Sequence, residues 1–259
     1  MGKIFLCLLL FVLSIRLPAA LVAHYAFNGN TNDAIYGNNA VVYGDACLTQ
    51  DRFGNLNSAY RFDGNGDYLR ITNASQINFS RTQDFSVAFW VKPDVVQPYT
   101  VNSDNDMVEK WSGTSGYPFV VRYINQKSSS NGRVSAARYN GTTSAGTSSN
   151  DTIHDGQFHH ILFTKTGSTL SLYIDGIFQN STTDLTSGDT TNTSDLYIAS
   201  RGGNINFFAG TIDDLRIYNH SISTLEMQEL VPEVSCLWMA LVSMGMLYIH
   251  RKRLLQRRK

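Results

Sequence analysis

The chain has 259 residues, and its 21 basic side chains balance its 21 acidic ones, so the formal net charge is zero. All acidic residues lie between residues 21 and 233, where 13 basic residues remain, so this part carries a net charge of −8. Such an acidic body disfavours nucleic-acid binding, which depends on Lys and Arg side chains that neutralise phosphates.

The first 20 residues have the layout of a secretory signal peptide. A basic start ends at Lys3, an uninterrupted apolar stretch fills residues 4–13, and the small residues Ala19 and Ala20 follow. The apolar stretch is shorter than the roughly 20 residues that a membrane-spanning helix needs. We therefore expect residues 1–20 to direct export, with a buried N-terminal helix as the alternative.

The part between the two ends, residues 21–230, is predicted to be one domain without a disulfide. Its only cysteine is Cys47, because Cys7 and Cys236 lie in the two terminal apolar segments. A domain of about 200 residues is large enough to be held together by its hydrophobic core alone. We expect Cys47 to be a small buried apolar side chain.

Nine runs of alternating apolar residues, rich in β-branched and aromatic types, predict β-strands. They lie at residues 21–27, 59–62, 68–71, 85–91, 119–123, 160–164, 170–174, 196–199 and 210–218. Asp175 and Gly176 follow the seventh run and are typical of a tight hairpin turn. Many short strands with polar loops between them predict an all-β fold, a two-sheet antiparallel jelly-roll sandwich.

One short helix is predicted at the end of this domain. Ser223 and Glu226 have the spacing of a capping box, in which each side chain bonds the backbone N–H of the other residue. Met227 and Leu230 then share one helix face, and Pro232 ends the helix.

Six segments occur in an order that resembles the LamG-like jelly-roll family. They are HYAFNGN at residues 24–30, FDGNGDYL at 62–69, FSVAFWVKP at 85–93, QFHHI at 157–161, LYIDG at 172–176 and GTIDDLRIYN at 210–219. The resemblance implies a concanavalin A-like sandwich, the fold of many lectins and glucanases, over nearly all of residues 21–230. Phe158 stands where the family usually has Trp, so one aromatic core residue replaces another.

Oxygen-rich side chains predict a candidate structural calcium site. Asn28, Asn30 and Asp33 follow the first strand, and Ca²⁺ prefers carboxylate and carbonyl oxygens. The family resemblance implies that a late-strand carboxylate completes the site, and Asp213 is the residue at that position. Asp213 and Asp214 are expected to point to opposite faces of their strand. The alternative is that the Asn and Asp residues only form turns.

Three aromatic residues in or beside predicted loops are candidates for ligand binding. Sandwiches of this type often use such rings to stack on sugars, and the candidates are Trp111, Tyr117 and Phe207. Core packing is the alternative for each ring.

The residue pattern does not favour an enzyme. Glycosidases on this fold use two carboxylates close together, whereas Glu109 has no second Glu near it and is expected in a loop with Asp104 and Asp106. His159 and His160 are adjacent on a predicted strand, so their side chains point to opposite faces and cannot hold one ion.

The chain ends in a polar motif, an apolar run and a basic end. Val231, Pro232 and Glu233 form the motif, and residues 234–249 form the apolar run. This run is close to the minimum length that can span a membrane. The Arg-rich residues after it are expected on the cytoplasmic side.

This arrangement resembles the PEP-CTERM sorting signal of Gram-negative bacteria, although Val234 stands where the usual motif has a second Pro. The resemblance implies membrane targeting of residues 231–259 and processing by an exosortase, a membrane transpeptidase. A plain single-span anchor is the alternative.

Together these features predict an exported binding module at the cell surface or in the extracellular matrix. Its expected partners are a polysaccharide or a surface protein, and the membrane through its tail. Two alternatives stay open, namely a structural matrix protein without a discrete ligand and a divergent glycan-cleaving enzyme.

Overall fold

The computed structural model describes residues 20–100, 102–113 and 115–231. These residues form fifteen strands, a short 3-10 helix and one α-helix. The elements are β1 (Leu21–Tyr25), β2 (Val41–Tyr43), β3 (Cys47–Thr49), β4 (Ala59–Asp63), β5 (Tyr68–Ile71), the 3-10 helix (Ser75–Ile77), β6 (Phe85–Pro93), β7 (Asp104–Glu109), β8 (Tyr117–Ile124), β9 (Arg133–Tyr139), β10 (Ser144–Thr152), β11 (His159–Thr166), β12 (Thr169–Ile174), β13 (Ile177–Thr183), β14 (Leu196–Ile198), β15 (Ala209–Tyr218) and α1 (Thr224–Leu230).

The strands form two antiparallel sheets that enclose the core. Sheet A has the order β13-β12-β11-β6-β15-β4-β3, with β1 also paired to β15. Sheet B has the order β10-β9-β8-β7-β14-β5-β2. Strands that are far apart in sequence, such as β6 and β15, become neighbours, which is the connectivity of a jelly roll. The predicted fold class, an all-β two-sheet antiparallel sandwich, is confirmed.

The core between the sheets is built on packed aromatic rings. Phe79 stacks on Phe85 with 5.2 Å between ring centroids, and Phe119 and Phe163 lie 5.9 Å and 5.7 Å from Phe85. All four side chains are completely buried. Burying one such side chain contributes roughly 1.5–3 kcal/mol, so a core of this kind stabilises the fold without a disulfide.

The α-helix covers part of the outer face of sheet A. The capping box of Ser223 and Glu226 is formed as predicted. Leu230 packs in a second apolar cluster with Trp90 and Leu162, two residues whose side chains point away from the main core. Strand β6 is therefore buried on both faces, which explains why residues 87–91 are all apolar.

Each of the nine predicted runs coincides with a strand or a large part of one, but the polar strands were not predicted. The expectation of a loop at Asp104–Glu109 is wrong, because these residues form β7 and are all buried. Strands β9 and β10 were not predicted either, since β10 has almost no large apolar residues. Cys47 is exposed on the edge strand β3, contrary to the expectation that it is buried.

The hairpin predicted at Asp175 and Gly176 is confirmed. Both residues have positive φ angles, 52° and 74°. Two consecutive left-handed residues are the requirement of the turn type that joins β12 and β13.

Candidate functional site

Five tyrosines of sheet B lie on its outer face, away from the core, and Trp111 follows β7 on the same side of the molecule. Side chains alternate along a strand, and the residues beside these rings, such as Leu69 and Ile198, belong to the core. Cross-strand pairing brings the rings together, with Tyr43 opposite Tyr68 and Tyr117 opposite Tyr139. We call this set the aromatic face, which consists of Tyr43, Tyr68, Trp111, Tyr117, Tyr139 and Tyr197.

The five tyrosine rings of the aromatic face form two groups. In the first, Tyr43 and Tyr68 stack with 4.6 Å between centroids and 4° between planes, and Tyr197 lies 5.9 Å from Tyr68. In the second, the rings of Tyr117 and Tyr139 are 5.6 Å apart. All of these rings are partly exposed except Tyr117, which is buried.

A loop of residues 201–206, which we call the bridging loop, contacts Tyr68 of the first group and Trp111. Gly203 has a φ of 76°, and a Cβ atom there would stand 2.8 Å from Cζ of Tyr68, so only glycine fits this close approach. The guanidinium of Arg201 lies 5.5 Å from the ring centroid of Trp111. The bridging loop is thus packed against two aromatic rings.

Buried ion pairs hold the bridging loop to the sheet. Arg201 donates to both carboxylate oxygens of Asp106, at 2.6 Å from Nε and 2.9 Å from Nη2, and its Nη2 also lies 3.2 Å from Asp104. Arg122 adds a second guanidinium, with Nε 3.0 Å from Asp106. Burial raises the pKa of Asp106, and the two guanidinium groups oppose this rise. A bidentate pair of this kind fixes the orientation of both partners.

Glu109 lies under the bridging loop and is completely buried. Its Oε1 accepts the backbone N–H of Gly202 at 2.8 Å, and its Oε2 has no hydrogen-bond partner within the described part of the chain. Burial and the nearby charge of Asp106 raise the pKa of Glu109 well above its ordinary value. A bulge after Asp106 keeps Glu109 on the same face of β7 as Asp104 and Asp106. This clustering was hidden in the sequence, because an extra residue breaks the alternation.

The structure brings together two of the three predicted ligand-binding residues. Trp111 and Tyr117 both belong to the aromatic face, whereas Phe207 follows the bridging loop and its backbone carbonyl accepts a hydrogen bond from Asn105. Tyr68 and Tyr197 were not predicted as site residues, although each occupies an outward position of a predicted strand. That outward position was the available signal.

The predicted calcium ligands do not form one ligand set. Asn28 and Asp213 line the same cavity, but Nη1 of Arg52 donates to Asp213 at 2.9 Å. The Oδ1 atom of Asn30 accepts the N–H of Asn32. The carboxylate of Asp33 accepts four backbone N–H groups, from His24, Ile35, Tyr36 and Asn38. The side-chain oxygens of Asn30 and Asp33 accept hydrogen bonds within turns, and Asp213 pairs with a guanidinium. The set as a whole therefore does not fit a calcium ion.

A second acidic group lies elsewhere, at Asp45, Asp63 and Asp67. Their carboxylate oxygens are within 4.8 Å of one another, a spacing that would suit a cation. The carboxylate of Asp67 already accepts the backbone N–H of Asp45 at 2.8 Å and of Asp63 at 3.0 Å. Its present role is therefore to join two turns.

His159 and His160 point to opposite faces, as predicted. The ring of His160 is buried 5.3 Å from Trp90, and burial lowers its pKa to about 4. His159 is partly exposed and bonds to Asp175 at 2.7 Å and to Asp155 at 3.0 Å.

Within residues 20–100, 102–113 and 115–231, the structure contains no helix that is both long enough and apolar enough to cross a membrane. Residues 1–19 of the predicted signal peptide, Pro232, Glu233 and the predicted span at residues 234–249 lie outside the described residues. Val231 is described and is buried in the apolar cluster beneath α1.

Solved structures with the same fold include domains from toxins and from an enzyme. The binding domain of Paraclostridial Mosquitocidal Protein 1 aligns with a TM-score of 0.64 and 16% identity, over 82% of this chain and 51% of that one. The botulinum neurotoxin serotype D binding domain aligns with a TM-score of 0.62 and 13% identity, over 82% and 50%. The chain thus spans about half of these toxin domains.

A third structure matches over nearly its whole length. Domain 4 of AbnA, a GH43 extracellular arabinanase from Geobacillus stearothermophilus solved in complex with arabinotriose, aligns with a TM-score of 0.63 and 20% identity, over 82% of this chain and 98% of that domain. None of the curated protein sequences matches the chain. At this level of identity, the solved structures establish a shared fold.

The sequence itself matches one family, over residues 63–228. This match covers more than half of the chain and includes strands β5 to β15. The chain therefore belongs to the concanavalin A-like lectin/glucanase superfamily.

Proposed function

We propose that this protein is a binding module that holds a polysaccharide against the aromatic face. The observation that carries the proposal is the set of rings on the outer face of sheet B around the bridging loop, all of them partly exposed except Tyr117. Domain 4 of AbnA, which shares the fold, was solved with arabinotriose, and this supports a carbohydrate as the ligand class.

The aromatic face suits a polymer because its rings extend across several strands. The tyrosines lie on β2, β5, β14, β8 and β9. Five strand spacings of about 4.8 Å separate β2 from β9 in sheet B, so the set extends over roughly 24 Å. Aromatic rings provide a large contact area at little cost in conformational entropy. Stacking and ion pairing already fix Tyr43, Tyr68 and Arg201, so binding requires little further ordering of these groups.

Affinity electrophoresis of the full-length protein in gels that contain soluble polysaccharides, arabinan among them, tests this proposal. We expect Trp111→Ala and Tyr197→Ala each to weaken retardation about tenfold or more, since removal of an anchoring aromatic costs on the order of 2 kcal/mol. Phe178→Ala is the matched control, because this ring is 54% exposed but lies on β13 in sheet A.

The outcomes separate the open alternatives. Retardation equal to that of the wild type in all three variants would remove the aromatic face as the glycan site. Retardation by none of the polymers would favour a matrix protein without a discrete ligand. Shortening of the polymer during the run would instead support a glycan-cleaving enzyme.

Export and surface attachment are part of the same proposal. The acidic domain would act outside the cytoplasm, released or anchored by the tail that follows Val231. Intact-mass analysis of the mature protein tests this. Loss of residues 1–20 and of the basic C-terminus is expected if an exosortase-type enzyme processes the tail, whereas retention of the basic C-terminus in a membrane fraction would indicate a plain anchor.

A further inference from the structure

A cavity of about 330 Å³ lies on the outer face of sheet A, on the opposite side of the sandwich from the aromatic face. Three parts of the chain line it, namely β1 with the turn after it, the loop after β3, and β15. Polar side chains dominate the lining, among them Asn28, Asp51, Arg52, Asn55, Asp213 and Asp214.

A β-bulge turns two adjacent carboxylates into this one cavity. Strand β15 pairs with β6 through Asp213 opposite Trp90 and next through Arg216 opposite Ala88, so β15 has one extra residue at this point. Asp214 adopts a left-handed φ of 50° there. The expectation that Asp213 and Asp214 point to opposite faces is therefore wrong, since it assumed a regular strand.

The side chain of Arg52 is held in place at the cavity wall. Its guanidinium lies 4.4 Å from the ring centroid of Phe53 and 4.6 Å from that of Trp90. Its Nη1 donates to Oδ2 of Asp213 at 2.9 Å. Contacts with two rings and one carboxylate orient the guanidinium before any ligand arrives.

Asp214 is an ionised acceptor, and one of its oxygens is close to Arg52 without a hydrogen bond to it. Its Oδ1 bonds to Nε2 of His24 at 2.8 Å and to Nε of Arg216 at 3.0 Å. Its Oδ2 is 3.7 Å from Nη2 of Arg52, which is beyond hydrogen-bond distance. Burial alone would raise the pKa of Asp214, but the bonds with His24 and Arg216 lower it to about 2.

The cavity combines these polar groups with one exposed ring. Phe53 lines the cavity and is 61% exposed, so its ring is available to a ligand. Hydroxyl groups of a sugar can donate to the carboxylates and accept from the amides and the guanidinium, while its C–H face packs on the ring. The carboxylates and guanidinium groups of the cavity are already paired with each other, so a charged ligand would bring a charge without a partner. A neutral ligand leaves no charge unpaired.

We propose that this cavity is a second carbohydrate site, which binds one neutral sugar unit. Its volume is at the small end of the roughly 300–1,000 Å³ of small-molecule pockets, which suits a single ring rather than a chain of rings. The site is separate from the aromatic face, so neither proposal depends on the other.

Saturation-transfer difference NMR of the full-length protein with methyl glycosides of neutral hexoses and pentoses tests the site. We expect saturable binding of at least one neutral glycoside, weakened about tenfold by Phe53→Ala, since the ring supplies the apolar contact. Leu56→Ala is the matched control, because Leu56 is 73% exposed on the same loop but does not line the cavity.

Three results would overturn the inference. They are no saturable binding of any neutral glycoside, unchanged binding by Phe53→Ala, or a preference for the negatively charged methyl glucuronide. Trp111→Ala should leave monosaccharide binding intact while it weakens polysaccharide retardation. The proposal for the cavity and the proposal for the aromatic face can therefore be refuted independently.

Discussion

Replacement of Arg201 by Met is expected to destabilise the protein far more than the same change at an exposed ion pair. The Arg201 side chain is 6% exposed and its partner Asp106 is 0% exposed. Methionine keeps much of the length of the side chain but leaves the buried carboxylates with one guanidinium less. Removal of one partner of a buried pair costs about 3–5 kcal/mol, because the other charge stays buried and unpaired.

The structure places this variant near the lower end of that range. Arg122 remains 3.0 Å from Asp106 and continues to neutralise part of its charge. We therefore expect a loss of about 3 kcal/mol in the free energy of unfolding for Arg201→Met. Loss of the cation beside Trp111 should also change the fluorescence of that ring.

Arg61→Met provides the matched control. Arg61 pairs with Asp94 at 2.6 Å, but the two side chains are 36% and 39% exposed. Exposed pairs contribute about 0–1 kcal/mol, because water screens the charges. Urea unfolding of wild type and both variants at pH 7 gives the comparison, provided that the m-values agree.

One result would refute this reasoning. If Arg201→Met costs no more than Arg61→Met, the buried ion pairs do not hold the bridging loop. A further check is Asp106→Asn in the Arg201→Met background, which should recover part of the lost stability because it removes the uncompensated charge.

Three further predictions concern pH, glycine and calcium. Burial lowers the pKa of His160 from 6.5 to about 4, so stability falls as pH drops below 6.5. His160→Phe lacks this loss, so its free energy of unfolding should rise by roughly 2 kcal/mol relative to wild type when the pH is lowered from 7 to 5, as measured by urea unfolding. Parallel pH profiles of the two proteins would contradict this. Gly203→Ala should lower the melting temperature more than Gly202→Ala, since both have positive φ but only Gly203 approaches Tyr68; equal shifts would show that the loop is not packed on that ring. EDTA should leave the melting temperature unchanged because Arg52 already pairs with Asp213; a clear drop would restore the calcium prediction.

The sequence was sufficient for the fold because the fold depends on local and periodic signals. Alternation of apolar residues marked nine strands, Asp175 and Gly176 marked a hairpin, and Ser223 with Glu226 marked the cap of α1. Each of these signals lies within a few residues, where backbone geometry decides the outcome. The polar strand β10 lacked this signal and was missed.

The candidate sites were only partly predictable, because they are assembled by pairing between distant strands. Tyr43, Tyr68 and Tyr197 become neighbours only through the order β14-β5-β2 in sheet B. Nothing in the sequence near Trp111 indicates that Arg201 will lie beside it.

Two bulges account for the errors about individual side chains. An extra residue after Asp106 keeps Glu109 with the other carboxylates of β7, and another in β15 turns Asp214 into the same cavity as Asp213. A bulge reverses the face of every later residue on its strand, and the partner strand decides where it forms. The sequence by itself determined a sandwich of two sheets, whereas the register between strands, which only the tertiary structure fixes, decided which side chains meet on its two outer faces.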